Sequence, residues 1–376
     1  MKHLIYADNA ATTQLDIEAF EAMKPYLLNE YGNASQPYSF AKKPKKALKE
    51  AREIIAKCIN AEPEEIYFTS GGTESDNWAI KGTLFASQDK NTIITSSFEH
   101  HAVLHSCETM EKLGHPVVYI NPNKEGFVET KSLEAAITPE TLLVSIMMSN
   151  NEIGTIQPIK KLVEITHKNG AIFHTDAVQS VGHIQIDVKD LEIDMLSASA
   201  HKFNGPKGIG FLYVKRDLPI ISLLDGGSQE RKYRAGTENV ASIVGMAVAL
   251  KKNCERLNEN TKHILELEEM LLSMLKEEEI AFAQNGFGKR VPGNLSLAFP
   301  GFEGETLLHR LDLMGVQVST GSACNSISTQ ISHVLQAIQA DRANALGTIR
   351  ISLGKDNTKE DIISIVTAIN TITKRN

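Results

Sequence analysis

Lys202 follows an apolar, β-like run and sits in Ser199-Ala200-His201-Lys202, just ahead of the glycine-rich GPKGIG. A lysine held at a strand end becomes a Schiff-base nucleophile when burial or a nearby cation lowers its pKa. Alone, it also reads as an ordinary loop lysine. Asp176 ends a second such run, in HTDAVQS. A carboxylate there can sit against the ring nitrogen of a pyridine cofactor, keeping it protonated so that the ring accepts electrons. It can equally cap a helix. The segment SGGTESDN over 70–77 has the makings of an anion cradle. Gly72 lets backbone amides approach a phosphate, Thr73 adds a hydroxyl, and the helix that follows offers its N-terminus. The same T-x-x-D spacing resembles a capping box.

SSFEHHAVLH carries His100, His101 and His105. His100, at a strand end, suits ring stacking and acid–base work. His101 and His105 are one helical turn apart, and with Cys107 they form a rival metal-site reading. The cysteines Cys58, Cys107, Cys254 and Cys324 are widely spaced and include no CxxC pair. Cys58 and Cys254 fall in helix-like runs and Cys107 follows the histidines, so all three read as structural. Cys324 alone lies among small residues, in STGSACNS. That setting suits a nucleophilic thiolate on a loop more than a buried small hydrophobe.

These residues need elements to hold them. Apolar β-like runs are expected at 65–69, 92–95, 117–120, 142–147, 171–174, 193–196 and 210–214. Helical patterns intervene at 72–84, 102–113 and from Pro158 to about Lys168. Alternation of this kind predicts an α/β fold with a mainly parallel sheet covered on both faces. Such sheets bind ligands at the C-terminal ends of their strands. SGGTESDN, SSFEHHAVL, SNNEIG, TDAVQS and SASAHKFNGPKG each follow one of these runs, which points to one shared site. Beyond them a helical pattern over 240–278 breaks near 258–260. A β-run (GNLSLAF), a helix over 303–314, a strand over 315–319 and a last helix from Lys359 follow. This part predicts a smaller α+β domain. The expected division is a large domain over 14–254 and a small domain made of 1–13 and 255–376.

The chain has 376 residues, 42% apolar and 23% charged, with a formal net charge of -7. This is ordinary for a globular protein. An acidic balance gives no general attraction for nucleic acid or anionic membrane, so neither is expected as a partner. No apolar run approaches a membrane span, and Asp8 and Asn9 interrupt the N-terminus where a signal peptide would be apolar. A cytoplasmic location is expected.

Ten segments together resemble the class V aminotransferase family, and within it the cysteine desulfurases that serve iron–sulfur and thio-cofactor assembly. They are YADNAATT, TSGGTESDN, EHHAVL, NNEIG, HTDAVQ, SASAHKFNGPKGIG, RAGTEN, GNLSLAFPG, STGSAC and TIRISLG, in the family order from end to end. The resemblance implies a pyridoxal-phosphate-dependent transferase of fold type I. It implies that Lys202 holds the cofactor and moves the substrate Cα proton, that Asp176 partners the pyridine nitrogen, and that His100 stacks on the ring. Gln179 and Asn151 would contact the ring hydroxyl. Gly72, Thr73, Ser199 and His201 would contact the phosphate, joined by Thr237 from the neighbouring subunit of a homodimer. Arg350 would clamp the carboxylate of L-cysteine, and Cys324 would carry the sulfur as a persulfide to an acceptor protein. That acceptor would be an iron–sulfur scaffold or a thiolation enzyme for tRNA or thiamin. A selenocysteine lyase or another pyridoxal-phosphate enzyme of the same fold is the alternative, and no metal is implied. One loop departs from the family pattern GNPSS-x-H: Ala34, Gln36 and Tyr38 replace its proline, second serine and histidine, while Asn33, expected to contact substrate, is kept. The chain also stops soon after its last helix, without the tail some members use to dock a scaffold.

Overall fold

The computed structural model of the protein describes residues 4–320 and 331–374. Its strands are β1 (Ile5–Tyr6), β2 (Ile66–Thr69), β3 (Thr92–Ser96), β4 (Val117–Ile120), β5 (Thr141–Ser145), β6 (Ile172–Asp176), β7 (Met195–Ser199), β8 (Gly210–Val214), β9 (Ala283–Gln284), β10 (Asn294–Ala298), β11 (Val316–Gln317) and β12 (Thr348–Ser352). Its helices are α1 (Ile17–Leu28), α2 (Lys42–Cys58), α3 (Gly72–Ala86), α4 (His101–Lys112), α5 (Thr130–Ala136), α6 (Ile159–Lys168), α7 (Val240–Glu255), α8 (Leu257–Glu277), α9 (Gly304–Leu313), α10 (His333–Ala337), α11 (Arg342–Leu346) and α12 (Lys359–Thr373).

Seven strands form one sheet in the order β2-β8-β7-β6-β5-β3-β4. All run parallel except β8, which opposes β2 and β7. Successive residues divide between the two faces. Phe68, Ile94, Val144, Phe173, Leu196 and Phe211 join one core, which α2 and α7 cover. Tyr67, Ile93, Leu143, Met195 and Leu212 join the core on the other face, with Trp78 of α3 and Val103 of α4. Both faces are dry, so these strands read as continuous apolar runs rather than as alternating ones. The sheet is mainly parallel, as the sequence predicts.

A further core gathers Leu267 and Leu271 of α8, Leu295 and Leu297 of β10, Ile349 and Ile351 of β12, and Ile365 and Ile369 of α12. Ile5 and Ala7 pack there too, so the N-terminal strand belongs with the C-terminal part. The chain changes cores at Arg256, where φ is -102° and ψ 13°. The expected break near 258–260 therefore comes a little early. Asn258 and Asn260 are tolerated in the first turn of α8, and the bend falls where burial switches from one core to the other. The segment after 330 departs from a simple split: Val334, Leu335, Ile338 and Ala345 pack into the first core. The strand expected over 315–319 is only Val316–Gln317. Its continuation, Ser319, instead exchanges backbone hydrogen bonds with Arg350. Residues 348–352, to which no strand was assigned, form β12 paired antiparallel with β10. Among the described residues no helix is long and apolar enough to cross a membrane.

Candidate active site

A cavity of about 400 Å³ opens at the C-terminal ends of β3, β5, β6 and β7. Its wall takes Gly72 and Thr73 from the start of α3, His100 from the turn after β3, and Asn151 from the turn after β5. Asp176 and Gln179 come from the end of β6, Ser199, His201 and Lys202 from the end of β7, and Arg350 from β12. These ten positions, all singled out in the sequence, meet in one place, and His101 of the metal reading lines the same cavity.

The N-terminal turn is the hub. Lys202 Nζ donates to Ala10 O at 2.6 Å and Ala11 O at 2.8 Å, and Gln179 Nε2 donates to Ala10 O at 3.0 Å. The same turn is tied to the smaller sheet through Ala10 N, which donates to Ser352 Oγ at 2.9 Å. His201 Nδ1 lies 3.1 Å from Thr12 Oγ1. YADNAATT thus joins the two sheets over the cavity.

Asp176 is buried, and its Oδ1 accepts from Val178 N at 2.9 Å. The capping contact is therefore real, but it closes a turn rather than opening a helix. Burial pushes this carboxyl above the usual range, and His100, the Val178 amide and Lys202 pull it back. His100 Nδ1 accepts from Ala102 N at 3.1 Å, capping α4. Burial lowers the pKa of His100 against the pull of Asp176. A neutral ring whose Nδ1 accepts carries its proton on Nε2, the nitrogen left for the cavity.

The start of α3 is shaped for an anion. Its N-cap is Gly71, and no side chain caps it. Thr73 lies inside the helix, so the T-x-x-D capping box is not formed. The first-turn amides of a helix have no partner within it. A Cβ at Gly72 would stand 2.6 Å from Val178 Cγ2, so only glycine lets the backbone this close. Glu74 fixes the turn: its carboxylate takes Arg234 Nε at 2.8 Å and Nη2 at 3.1 Å, and Ser70 N at 2.8 Å.

Asn150 shapes NNEIG. Its Oδ1 accepts from Glu152 N at 2.8 Å and Ile153 N at 3.1 Å, and Gly154 completes the turn at φ 74°. This turn sets Asn151 and Glu152 on the cavity wall. Arg350 Nη1 donates to Asn151 O at 3.0 Å and Nη2 to Asp8 Oδ1 at 2.6 Å. Asp8, Glu152 and His333, to which the sequence assigns no role, also line the cavity, as does Asp76 of the unformed capping box. Asp8 and Glu152 lie in two of the quoted motifs, YADNAATT and NNEIG. Glu152 is held by Ser332 Oγ at 2.5 Å, and burial raises it to about 7.

Glu99 sits behind this wall, accepting from Ser96 Oγ at 2.5 Å and from Met147 N at 2.9 and 3.1 Å. Burial raises its pKa from 4.5 to about 8. The folded value exceeds the unfolded one, so this contribution to stability is whole below about pH 4.5 and is lost as pH rises towards 8. Glu99→Gln cannot ionise. Its unfolding free energy from denaturant titration should fall less between pH 5 and pH 8 than that of the wild type, by a difference of about 1–3 kcal/mol. Equal falls in the two proteins would refute this.

Two predicted contacts are not made within the chain. Asn33 does not line the cavity; its Oδ1 accepts from Ser35 N at 2.9 Å and shapes its own turn. Thr237 is exposed and also lies off the cavity. The metal reading finds no geometry either. The His101 and His105 rings stack at 4.9 Å and 23°, and Cys107 is buried in the core with its thiol pushed up to about 12. Cys324 lies outside the described residues. Thr320 and His333, on either side of it in the chain, both line the cavity.

The family model described as Aminotransferase class-V matches residues 5–365. The chain belongs to the class V aminotransferase family. It is 47% identical to "Cysteine desulfurase IscS" of Clostridium botulinum, over all of this chain and 96% of that one. It is 47% identical to the protein of the same name from Methanosarcina thermophila, over 99% and 92%. A solved "NIFS-LIKE PROTEIN" superposes with a TM-score of 0.94 at 38% identity over the whole of both chains. Another, "SspA in complex with cysteine", does so with 0.84 at 37% identity over 95% of this chain and all of that one. This class V aminotransferase is a cysteine desulfurase, and its cofactor is pyridoxal phosphate. The cavity fits that cofactor. The glycine cradle at α3 suits a phosphate, buried Asp176 suits a protonated ring nitrogen, and Lys202 Nζ lies at the same strand ends.

Proposed function

We propose that this desulfurase converts L-cysteine to L-alanine with the residues of this cavity, and keeps the sulfur as a persulfide on Cys324. The carrying observation is the convergence of the ten named positions on one cavity. In this reading Gly72, Thr73, Ser199 and His201 hold the phosphate, Asn151 and Gln179 hold the ring hydroxyl, and Asp176 keeps the ring nitrogen protonated. Bound pyridoxal phosphate supplies the electron sink that makes the substrate Cα proton acidic. Lys202 Nζ takes and returns that proton. Arg350 holds the substrate carboxylate, for which a planar two-pronged guanidinium is suited. His100, neutral and protonated on Nε2, exchanges a proton with the substrate near its sulfur. The Cys324 thiolate bonds to the substrate sulfur as the Cβ–S bond breaks, and the carbon fragment takes up protons to leave as alanine. The sum is L-cysteine plus one enzyme thiol giving L-alanine plus one enzyme persulfide.

The persulfide sulfur then passes to an acceptor protein, an iron–sulfur scaffold or a thiolation enzyme. The working form is a homodimer. Supporting this, Thr237 is exposed and off its own cavity, and Ser35 Oγ meets Glu238 Oε2 at 3.5 Å, beside the exposed Tyr31 and Tyr38. In that assembly Thr237 reaches the partner subunit's phosphate site, and Asn33 belongs to the substrate entrance. The domain division is taken as 14–254 against 1–13 with 255–376; the separate core of Ile5, Ala7, α8, β10, β12 and α12 supports it, and the packing of Val334, Leu335 and Ile338 against the large sheet counts against it after 330. A cytoplasmic location accords with the free thiols of Cys58, Cys107 and Cys254. The test is alanine release from L-cysteine by the purified enzyme carrying pyridoxal phosphate. Steady alanine formation is expected, and its absence would overturn the assignment.

A further inference from the structure

Arg350 is already engaged by a carboxylate of its own chain. Its residue is 6% exposed. Nη2 donates to Asp8 Oδ1 at 2.6 Å, Nη1 donates to Asn151 O at 3.0 Å, and Nε is buried with no hydrogen-bond partner among the described residues. The strand beneath it is fixed. Arg350 N donates to Ser319 O at 2.7 Å and Ser319 N donates to Arg350 O at 3.1 Å, which locks the strand on one side. Ser296 of β10 faces it on the other. Asp8 is equally fixed, by a parallel bridge to Ser352 of the same strand. Both residues line the cavity.

A carboxylate binds a guanidinium best through two parallel N–H donors. Asn151 O and Asp8 Oδ1 occupy donors on both terminal nitrogens. A second carboxylate arriving from the cavity is left with the remaining N–H donors, so it must share the guanidinium charge with Asp8 or displace it. Two carboxylates on one partly desolvated cation repel each other, so the resident anion weakens the binding of the incoming one. A ligand without a carboxylate gains nothing by displacing Asp8.

We propose that Asp8 is a specificity-determining residue, an internal carboxylate that occupies Arg350 and that the substrate carboxylate must displace or share. Asp8 sets the affinity for amino acids and makes binding conditional on an α-carboxylate. The inference rests on the reading of Arg350 as the substrate clamp.

The test is calorimetric binding of L-alanine to the enzyme carrying pyridoxal phosphate, beside steady-state kinetics with L-cysteine. Asp8→Asn keeps the shape and removes the charge. It should tighten alanine binding roughly three- to tenfold and lower KM for cysteine by a similar factor, with a smaller change in kcat. Asp8→Ser clears the edge altogether and should shift alanine affinity in the same direction, which guards against a folding defect peculiar to the first variant. Unchanged or weaker alanine binding in both folded variants would overturn the proposal and leave Asp8 as a strut that merely orients Arg350. Arg350→Ala separates the two readings: it should abolish alanine binding whether or not Asp8 is present. If Arg350→Ala binds alanine as well as the wild type, the clamp reading is what fails.

Discussion

Lys202→Ala should lower alanine formation from L-cysteine by at least about 10⁴-fold. The substitution removes the amine that would hold the cofactor and the group that would move the Cα proton, so two contributions vanish together. The loss should not come from unfolding. The Lys202 side chain is only partly buried, and it donates to carbonyls of the N-terminal turn at 2.6 and 2.8 Å. That turn is also held by Thr13 N on His201 O at 2.8 Å and by Ala10 N on Ser352 Oγ at 2.9 Å. The variant should therefore keep its unfolding transition and lose the visible absorbance of covalently held pyridoxal phosphate. A rate within tenfold of wild type would mean that another base moves the proton.

Asp176→Asn carries the second large effect. The carboxylate lies at the buried end of β6, with the Val178 amide on Oδ1 and with His100 and Lys202 lowering its pKa against the effect of burial. An amide of the same shape keeps the turn but cannot hold a proton on a pyridine nitrogen. Removing one partner of a buried charge pair costs about 3–5 kcal/mol, which corresponds to roughly 10²–10⁴-fold in rate if the loss falls on the transition state. Turnover should drop by that factor, and the dissociation constant for pyridoxal phosphate should rise. A variant within threefold of wild type in both would show that Asp176 does not face the ring.

Much of this site was legible in the sequence, because the strands that carry it are buried on both faces. A dry parallel strand is a continuous apolar run, so its end is easy to see, and the polar residue after it is easy to name. Asp176, Lys202 and His100 were found in that way, and the sheet order brings their strand ends together. Chemistry that depends on long-range pairing was harder to see. Asp8 and Arg350 lie at opposite ends of the chain, and only the alignment of the N-terminal segment beside β12 makes them partners. Asp76 read as half of a capping box, yet it is buried in the cavity wall, where burial and Asp176 raise its pKa well above the usual range. Glu152 gave no separate signal because the hydroxyl that holds it, Ser332, comes from far along the chain. Asn33, named through the family resemblance, stands off this cavity in the single chain, where its Oδ1 accepts from Ser35 N and shapes its own turn. β12 carries no continuous apolar run: Thr348, Arg350 and Ser352 alternate with Ile349 and Ile351, so it lacks the signal that marks the strands of the large sheet.

The central claim is that sulfur from L-cysteine comes to rest on one thiol of this chain while the carbon skeleton leaves as alanine. The most direct measurement is a single turnover of the enzyme carrying pyridoxal phosphate, without reductant, followed by peptide mass mapping of the four cysteines and quantitation of alanine. One added sulfur atom on Cys324 and one alanine per active site are predicted, with neither on Cys324→Ser. Alanine produced at the wild-type level by Cys324→Ser, or the added sulfur found on Cys58, Cys107 or Cys254 instead, would contradict the account.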